Sequence, residues 1–65
     1  MEHAGCVVAE VVGTSDESVE EAIRDAMGRA GHALEWFEVT SVRSTVLGSA
    51  ERFQVDLRVG VRQAA

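Results

Sequence analysis

Residues 53–62, FQVDLRVGVR, alternate without a break between apolar side chains and polar or small ones. Side chains on an extended strand point to opposite faces in turn, so Phe53, Val55, Leu57, Val59 and Val61 form one apolar row. Arg52, Gln54, Asp56, Arg58 and Arg62 occupy the other face. A strand of this kind is half buried and needs an apolar surface laid against one side. The chain has one evident partner for it. Val19, Ala22, Ile23, Ala26, Met27 and Ala30 recur at helical spacing and make a single stripe. That stripe is narrow and rich in alanine, which predicts a helix seated close against a sheet.

The remaining elements fall into place around this pair. Glu20, Glu21, Arg24, Asp25 and Arg29 lie on the polar side of the helix, and Glu20/Arg24 and Asp25/Arg29 are acid-first pairs four residues apart. Gly31 is a natural helix stop. Upstream, GTSDE carries helix-start chemistry: Thr14 or Ser15 as cap, Glu17 three residues after Thr14, and Asp16 and Glu17 against the positive end of the helix dipole. CVVAEVV, rich in β-branched residues, reads as a strand of about seven residues ended by Gly13. Residues 34–47 read as extended, with Trp36, Phe37, Val39, Val42 and Val46 among polar neighbours, and LGSAE as a turn with Gly48 and Ser49 at its tip. The order is β-α-β-β. A right-handed crossover makes the first two strands parallel in direction, and placing the third between them gives an antiparallel sheet in the order first, third, second. The expected fold class is α+β, a three-stranded antiparallel sheet wrapping one helix, with residues 1–65 as a single domain.

Sixty-five residues make a small core, and chains of this size commonly rely on disulfides, a metal or partner subunits. Cys6 is the only cysteine, so no disulfide forms within the chain; in a strand it reads as a small buried hydrophobe. Cys6, His3 and His32 have no zinc-ligand spacing, and His32 reads as a surface or helix-end residue. Self-association is the remaining route to stability. The net charge of −5, with eleven acidic residues against six basic ones, argues against general nucleic-acid binding. All six basic residues are arginines, whose planar fork suits a local phosphate site even on an acidic chain. MEHAGCVVAEVVG lacks the basic start of a signal peptide, and no apolar run has the length of a membrane span, so a cytoplasmic location is expected. No carboxylate pair, nucleophile–base couple or metal cluster emerges from spacing, so a binding protein is expected and not an enzyme. VVGTS lacks the glycine spacing of a nucleotide-binding loop and reads as a plain strand-to-helix turn.

VVGTSDESVEEAI, WFEVTSVR and FQVDLRVGVR, in this order, resemble the dodecins, small flavin-binding proteins. The resemblance covers about residues 7 to 62, and the ordered set is more specific than any of its short words. It implies a hollow homododecamer of β-α-β-β subunits, with flavins held in pockets between subunits and stacked on tryptophan. Carried onto this chain, the stacking role falls to Trp36 and hydrogen bonding of the flavin's polar edge to Gln54. Arg43 and Arg62 become candidates for phosphate contacts, with intersubunit salt bridges as the competing reading. The ligand implied is FMN or riboflavin, with coenzyme A as a further one. Chemically, an indole suits a flat, electron-poor ring, and a primary amide offers the donor and the acceptor that a pyrimidine edge requires. Stacking on tryptophan quenches the flavin's excited state, which fits storage and photoprotection. Without the resemblance, Trp36 reads as a core or interface residue and Gln54 as a solvated one.

Three departures from the family pattern stand out. GRAGHALEW, between the helix and Trp36, is shorter than usual by about three residues, close to one helical turn. The hairpin VLGSAERF is slightly short. AGCVVAE lacks the lysine or tyrosine of many relatives, which leaves the choice between FMN and riboflavin open. The alternative function is a dodecin-like oligomeric scaffold or interaction protein whose altered pocket no longer takes flavin.

Overall fold

The computed structural model describes residues 6–62, in the order β1 (Cys6–Ser15), α1 (Val19–Ala30), β2 (Leu34–Leu47) and β3 (Ala50–Arg62). The fold is the expected α+β arrangement. β3 lies in the middle of a three-stranded sheet and pairs antiparallel with β1 on one side and β2 on the other. One face of β3 supplies the core: Val55, Leu57 and Val59 are fully buried, with Phe53 and Val61 packed at either end. From the helix, Ala22 and Ala26 are fully buried against them, and Val19, Ile23, Met27 and Ala30 flank the contact.

Alanine lets the helix come close, and a glycine beneath it lets it come closer. Gly13 lies directly under α1: a Cβ there would stand 2.6 Å from the backbone nitrogen of Ala26, 2.8 Å from its Cβ, and closer still to the carbonyl oxygen of Ala22. Gly13 does not end β1, as the sequence suggested. The ladder with β3 runs on through Gly13↔Val55, Thr14↔Gln54 and Ser15↔Phe53. The helix starts correspondingly later. Its N-cap is Ser18, whose hydroxyl accepts from the Glu21 N–H at 3.0 Å, instead of Thr14 or Ser15. Ser15 shapes the turn by accepting from the N–H groups of Glu17 (2.9 Å) and Ser18 (3.4 Å). Glu20 and Glu21, and not Asp16 and Glu17, are the acids of the first helical turn.

A second tie joins helix and strand. The Thr14 N–H donates to Oδ2 of Asp25 at 3.0 Å, and Arg29 lies 3.4 Å from the same oxygen. The predicted Glu20–Arg24 and Asp25–Arg29 pairs both form, and Arg24 also reaches Glu21 at 3.0 Å. The helix ends at Gly31, whose φ of 92° is open to glycine and whose N–H donates to the Met27 carbonyl. His32 is exposed, as expected. Cys6 begins β1, but its side chain lies outside the described residues, as do His3 and the rest of the N-terminal five.

The helix covers β1 and β3 and hardly reaches β2. On the helix side of β2, Phe37 pairs with Val59, Val39 with Leu57 and Val42 with Val55, yet all three remain exposed, as does Val46 beyond them. Two β-bulges set which residues point there. One falls between Leu34 and Trp36 and the other between Val39 and Ser41, each adding a residue on β2 without a counterpart on β3. At the second, the Thr40 hydroxyl donates to the Asp56 carbonyl at 3.1 Å.

Two substitutions of the same chemical type test the close packing. Gly13→Ala inserts a methyl group into backbone and should lower stability by roughly 3 kcal/mol. Gly28→Ala, in the helix with nothing within 4 Å of its would-be Cβ, should raise it by up to about 1 kcal/mol. Urea titrations read both. The Asp25 carboxyl titrates below the usual carboxylate range, chiefly because it accepts the Thr14 N–H and further because of Arg29, against the opposing effect of its partial desolvation. Its stabilising contribution is therefore present at neutrality and lost as pH falls through the depressed value. Asp25→Asn should lower the urea midpoint at neutral pH and flatten its decline on acidification. A wild-type-like pH profile would contradict the link.

Candidate functional site

The sheet face away from the helix is covered by no element among the described residues. Register assembles it into rows running across three strands. At one end lies Val8–Gly60–Trp36, followed by Glu10–Arg58–Glu38, then Val12–Asp56–Ser41, and finally Thr14–Gln54–Arg43. Among the described residues, the first row holds the only aromatic side chain on this face.

Trp36 reaches this face because of a bulge. Leu34, two residues earlier, packs against the core on the helix side. In an unbroken strand Trp36 would share that side. Glu35 is the extra residue that reverses the parity, so Trp36 pairs with Gly60 on the opposite face while Leu34 pairs with Val61. The indole then lies over Gly60. A Cβ on Gly60 would stand 2.8 Å from Cδ1 of the indole and closer still to Nε1 and Cε2. The five-membered ring thus fills the space that any side chain at position 60 would need. The ring lies close against the β3 backbone at Gly60, and Trp36 is still 41% exposed.

Charged groups flank the ring. Arg62 forms an ion pair with Glu35, and its N–H donates to the Ala33 carbonyl at 2.8 Å. Arg62 therefore has a carboxylate partner within its own chain. Beyond the indole, Arg58 sits in register between Glu10 and Glu38. Arg43 and Gln54 are paired across β2 and β3 at the other end of the face; Arg43 is exposed and Gln54 half-buried.

The four candidate residues thus share one face but form two groups. Trp36 lies with Arg62, and Gln54 lies with Arg43. Gly60, beneath the indole, is six residues from Gln54 along β3, a separation of roughly 20 Å in an extended strand. Trp36 and Gln54 of one chain thus stand at opposite ends of this face. Two further residues that shape this face, Glu35 and Gly60, were passed over at the sequence level. A glycine in the polar row of an otherwise regular strand is the signal that pointed to close approach at Gly60.

Elsewhere, a shallow hollow beside the β2–β3 hairpin is lined by Asp16, Thr45, Leu47, Ala50, Glu51 and Arg52. No group of three or more His, Cys, Asp or Glu side chains suited to a metal occurs among the described residues, and no helix there is long and apolar enough to cross a membrane.

A helix on one side of a three-stranded sheet, an exposed tryptophan on the other, and an exposed apolar strip along β2 characterise a small α+β domain with two faces left open among the described residues. The sequence model of the Dodecin family matches residues 7–63, and the chain belongs to the dodecin family. It is 47% identical over 58 residues to the dodecin of Thermus thermophilus, covering 82% of this chain and 83% of that one. Among solved structures it superposes on dodecin from Streptomyces davaonensis with a TM-score of 0.83 at 41% identity, covering 92% of this chain and 94% of that one. Dodecin from Streptomyces coelicolor matches with a TM-score of 0.81 at 42% identity, over 92% and 91% of the two chains. The relatives are bacterial. The family is one of flavin-binding proteins, its members are not known as enzymes, and they point to oligomeric assembly.

The exposed strip on the helix side of β2 offers an apolar surface for contact between copies. Val42→Lys places a charge amid Phe37, Val39 and Val46, and should shift the protein to smaller species in sedimentation velocity while sparing the exposed indole. An unchanged mass would remove this strip from the subunit interface.

Proposed function

We propose that the protein binds and stores FMN or riboflavin, stacked on Trp36 in pockets between subunits of a homododecamer in the cytoplasm. The observation that carries this reading is the indole itself: close against the Gly60 backbone, 41% exposed, and set on a sheet face that no element among the described residues covers. An isoalloxazine ring placed there gains both apolar burial and ring stacking, and stacking alone contributes roughly 0.5–1.5 kcal/mol. Gln54 serves the polar edge of the flavin, using its amide as donor and acceptor. Because Gln54 lies far from Trp36 along β3, it serves a ring stacked on the tryptophan of another copy. Arg43 supplies a cation for a ribityl phosphate or for the phosphates of coenzyme A. Arg62 supplies one less readily, since it already holds Glu35. Sequestration of the ring against tryptophan suppresses its photochemistry and leaves little room for a substrate, in keeping with a non-catalytic role.

Titration of FMN and of riboflavin with the purified protein should quench flavin fluorescence strongly. Trp36→Ala should weaken binding about tenfold or more without changing the mass of the assembly. Unchanged flavin fluorescence at high wild-type concentration would instead leave an oligomeric scaffold as the function. The composite pocket has its own test. Trp36→Ala and Gln54→Ala proteins, each weak alone, should regain a fraction of full-affinity sites when unfolded and refolded together. A mixture as weak as its components would place both roles in one chain.

A further inference from the structure

We infer that Gly60 is a positioning residue for the Trp36 indole, letting it seat close against the sheet by having no side chain. The inference rests on the reading of Trp36 as the ring-stacking residue. Gly60 is not required by its own backbone. Among the described residues the positive-φ glycines are Gly31 and Gly48, and Gly60 continues the regular ladder between Val59 and Val61. Alanine adopts that conformation readily and is the better strand former. Space alone explains the glycine. Cδ1, Nε1 and Cε2 of the indole all lie under 3 Å from where a Cβ would project. Any side chain at position 60 would displace the ring, either tilting it off the sheet or turning it to another rotamer.

The consequence for a ligand is orientation. An indole seated against the strand backbone has its position and tilt set by that contact, so a planar ligand stacked on it takes its orientation from the same seat. An indole displaced by a methyl group leaves that seat, and the stacking overlap it offers is reduced. Neighbouring positions fit a platform of this kind: Val8 on β1 occupies the same row beyond Gly60, and the next row in register is Glu10–Arg58–Glu38.

The test is Gly60→Ala in the full-length, assembled protein, alone and combined with Trp36→Ala. Gly60→Ala should retain the assembly mass and β-sheet circular dichroism. It should weaken riboflavin binding about tenfold, near the upper end of what one aromatic stack contributes, and should make Trp36 emission more accessible to acrylamide. In the Trp36→Ala background the same substitution should leave the urea midpoint nearly unchanged, because no indole remains to be displaced. Riboflavin affinity equal to wild type in Gly60→Ala, or an equal loss of stability in both backgrounds, would overturn the inference. If Gly60→Ala fails to fold, the double variant decides: its folding supports a steric conflict with the indole, and its failure assigns Gly60 to the backbone. Should wild-type protein not bind flavin, the storage reading falls on that result. The emission and stability comparisons, made without ligand, still decide the role of Gly60.

Discussion

The contact on which this fold depends is the approach of Ala22 and Ala26 to Gly13. With five fully buried hydrophobic residues described, the core has little depth, and its cohesion comes from surfaces brought unusually near each other. A bulkier residue at any of the three positions would lift α1 off the sheet and loosen its grip on Val55, Leu57 and Val59. The Thr14–Asp25 bond reinforces the seat from the edge of β1, joining the strand backbone to the middle of the helix. Because the helix is drawn over β1 and β3, it cannot also cover β2. The same contact that completes the core therefore leaves Phe37, Val39, Val42 and Val46 exposed. Association with other copies is the natural counterpart of that arrangement, since no part of the described chain shields this strip.

How far the fold was legible varies by element, and the reasons are physical. β3 and α1 were readable because each keeps one period throughout its length, so Phe53 to Val61 and Val19 to Ala30 separate cleanly into faces. Gly13 misled because glycine has two uses in a strand: it ends one, or it admits a neighbouring backbone. Only the helix above it distinguishes the two. The cap misled for a related reason. Thr14, Ser15 and Ser18 are all competent caps, and the extension of β1 to Ser15 removes the first two from contention. β2 resisted a face assignment because its parity changes twice. Leu34, Phe37, Val39, Val42 and Val46 share one face only once the bulges after Leu34 and after Val39 are known. Nothing in LEWFEVTSV marks those bulges as clearly as a glycine or proline would.

The candidate site was legible as a set of residue types and not as an arrangement. Trp36, Gln54, Arg43 and Arg62 were named through the family resemblance, and the structure sets all four on one face. Their division into two groups follows from strand length, a quantity that a list of residues does not convey. The ion pair of Arg62 was equally hidden, because its partner Glu35 sits at a bulge where ordinary strand spacing gives no guidance. Two arginines that looked equivalent in sequence thus differ in electrostatic circumstance. The carboxylate beside Arg62 offsets its charge, whereas Arg43 faces an amide. An anion meeting this surface has more to gain at the Arg43 end, since displacing Glu35 from Arg62 first costs an existing charge-assisted bond.

The two sheet faces come to function by one device. On one face Gly13 admits a helix; on the other Gly60 admits an aromatic ring. Neither glycine has a positive φ, so conformational freedom is not what the chain gains from them. What it gains is contact between a flat or narrow group and bare backbone, which a side chain of any size would prevent. The positions are not interchangeable. Gly13 lies on edge strand β1, where a short stretch of helix can close over it, and Gly60 lies on central strand β3, where a side chain from β2 can reach across without leaving the sheet. The bulge at Glu35 completes the device by turning Trp36 toward that second face. Moved by one residue, the same tryptophan would join the core side, and the uncovered face would carry charges and valines but no platform.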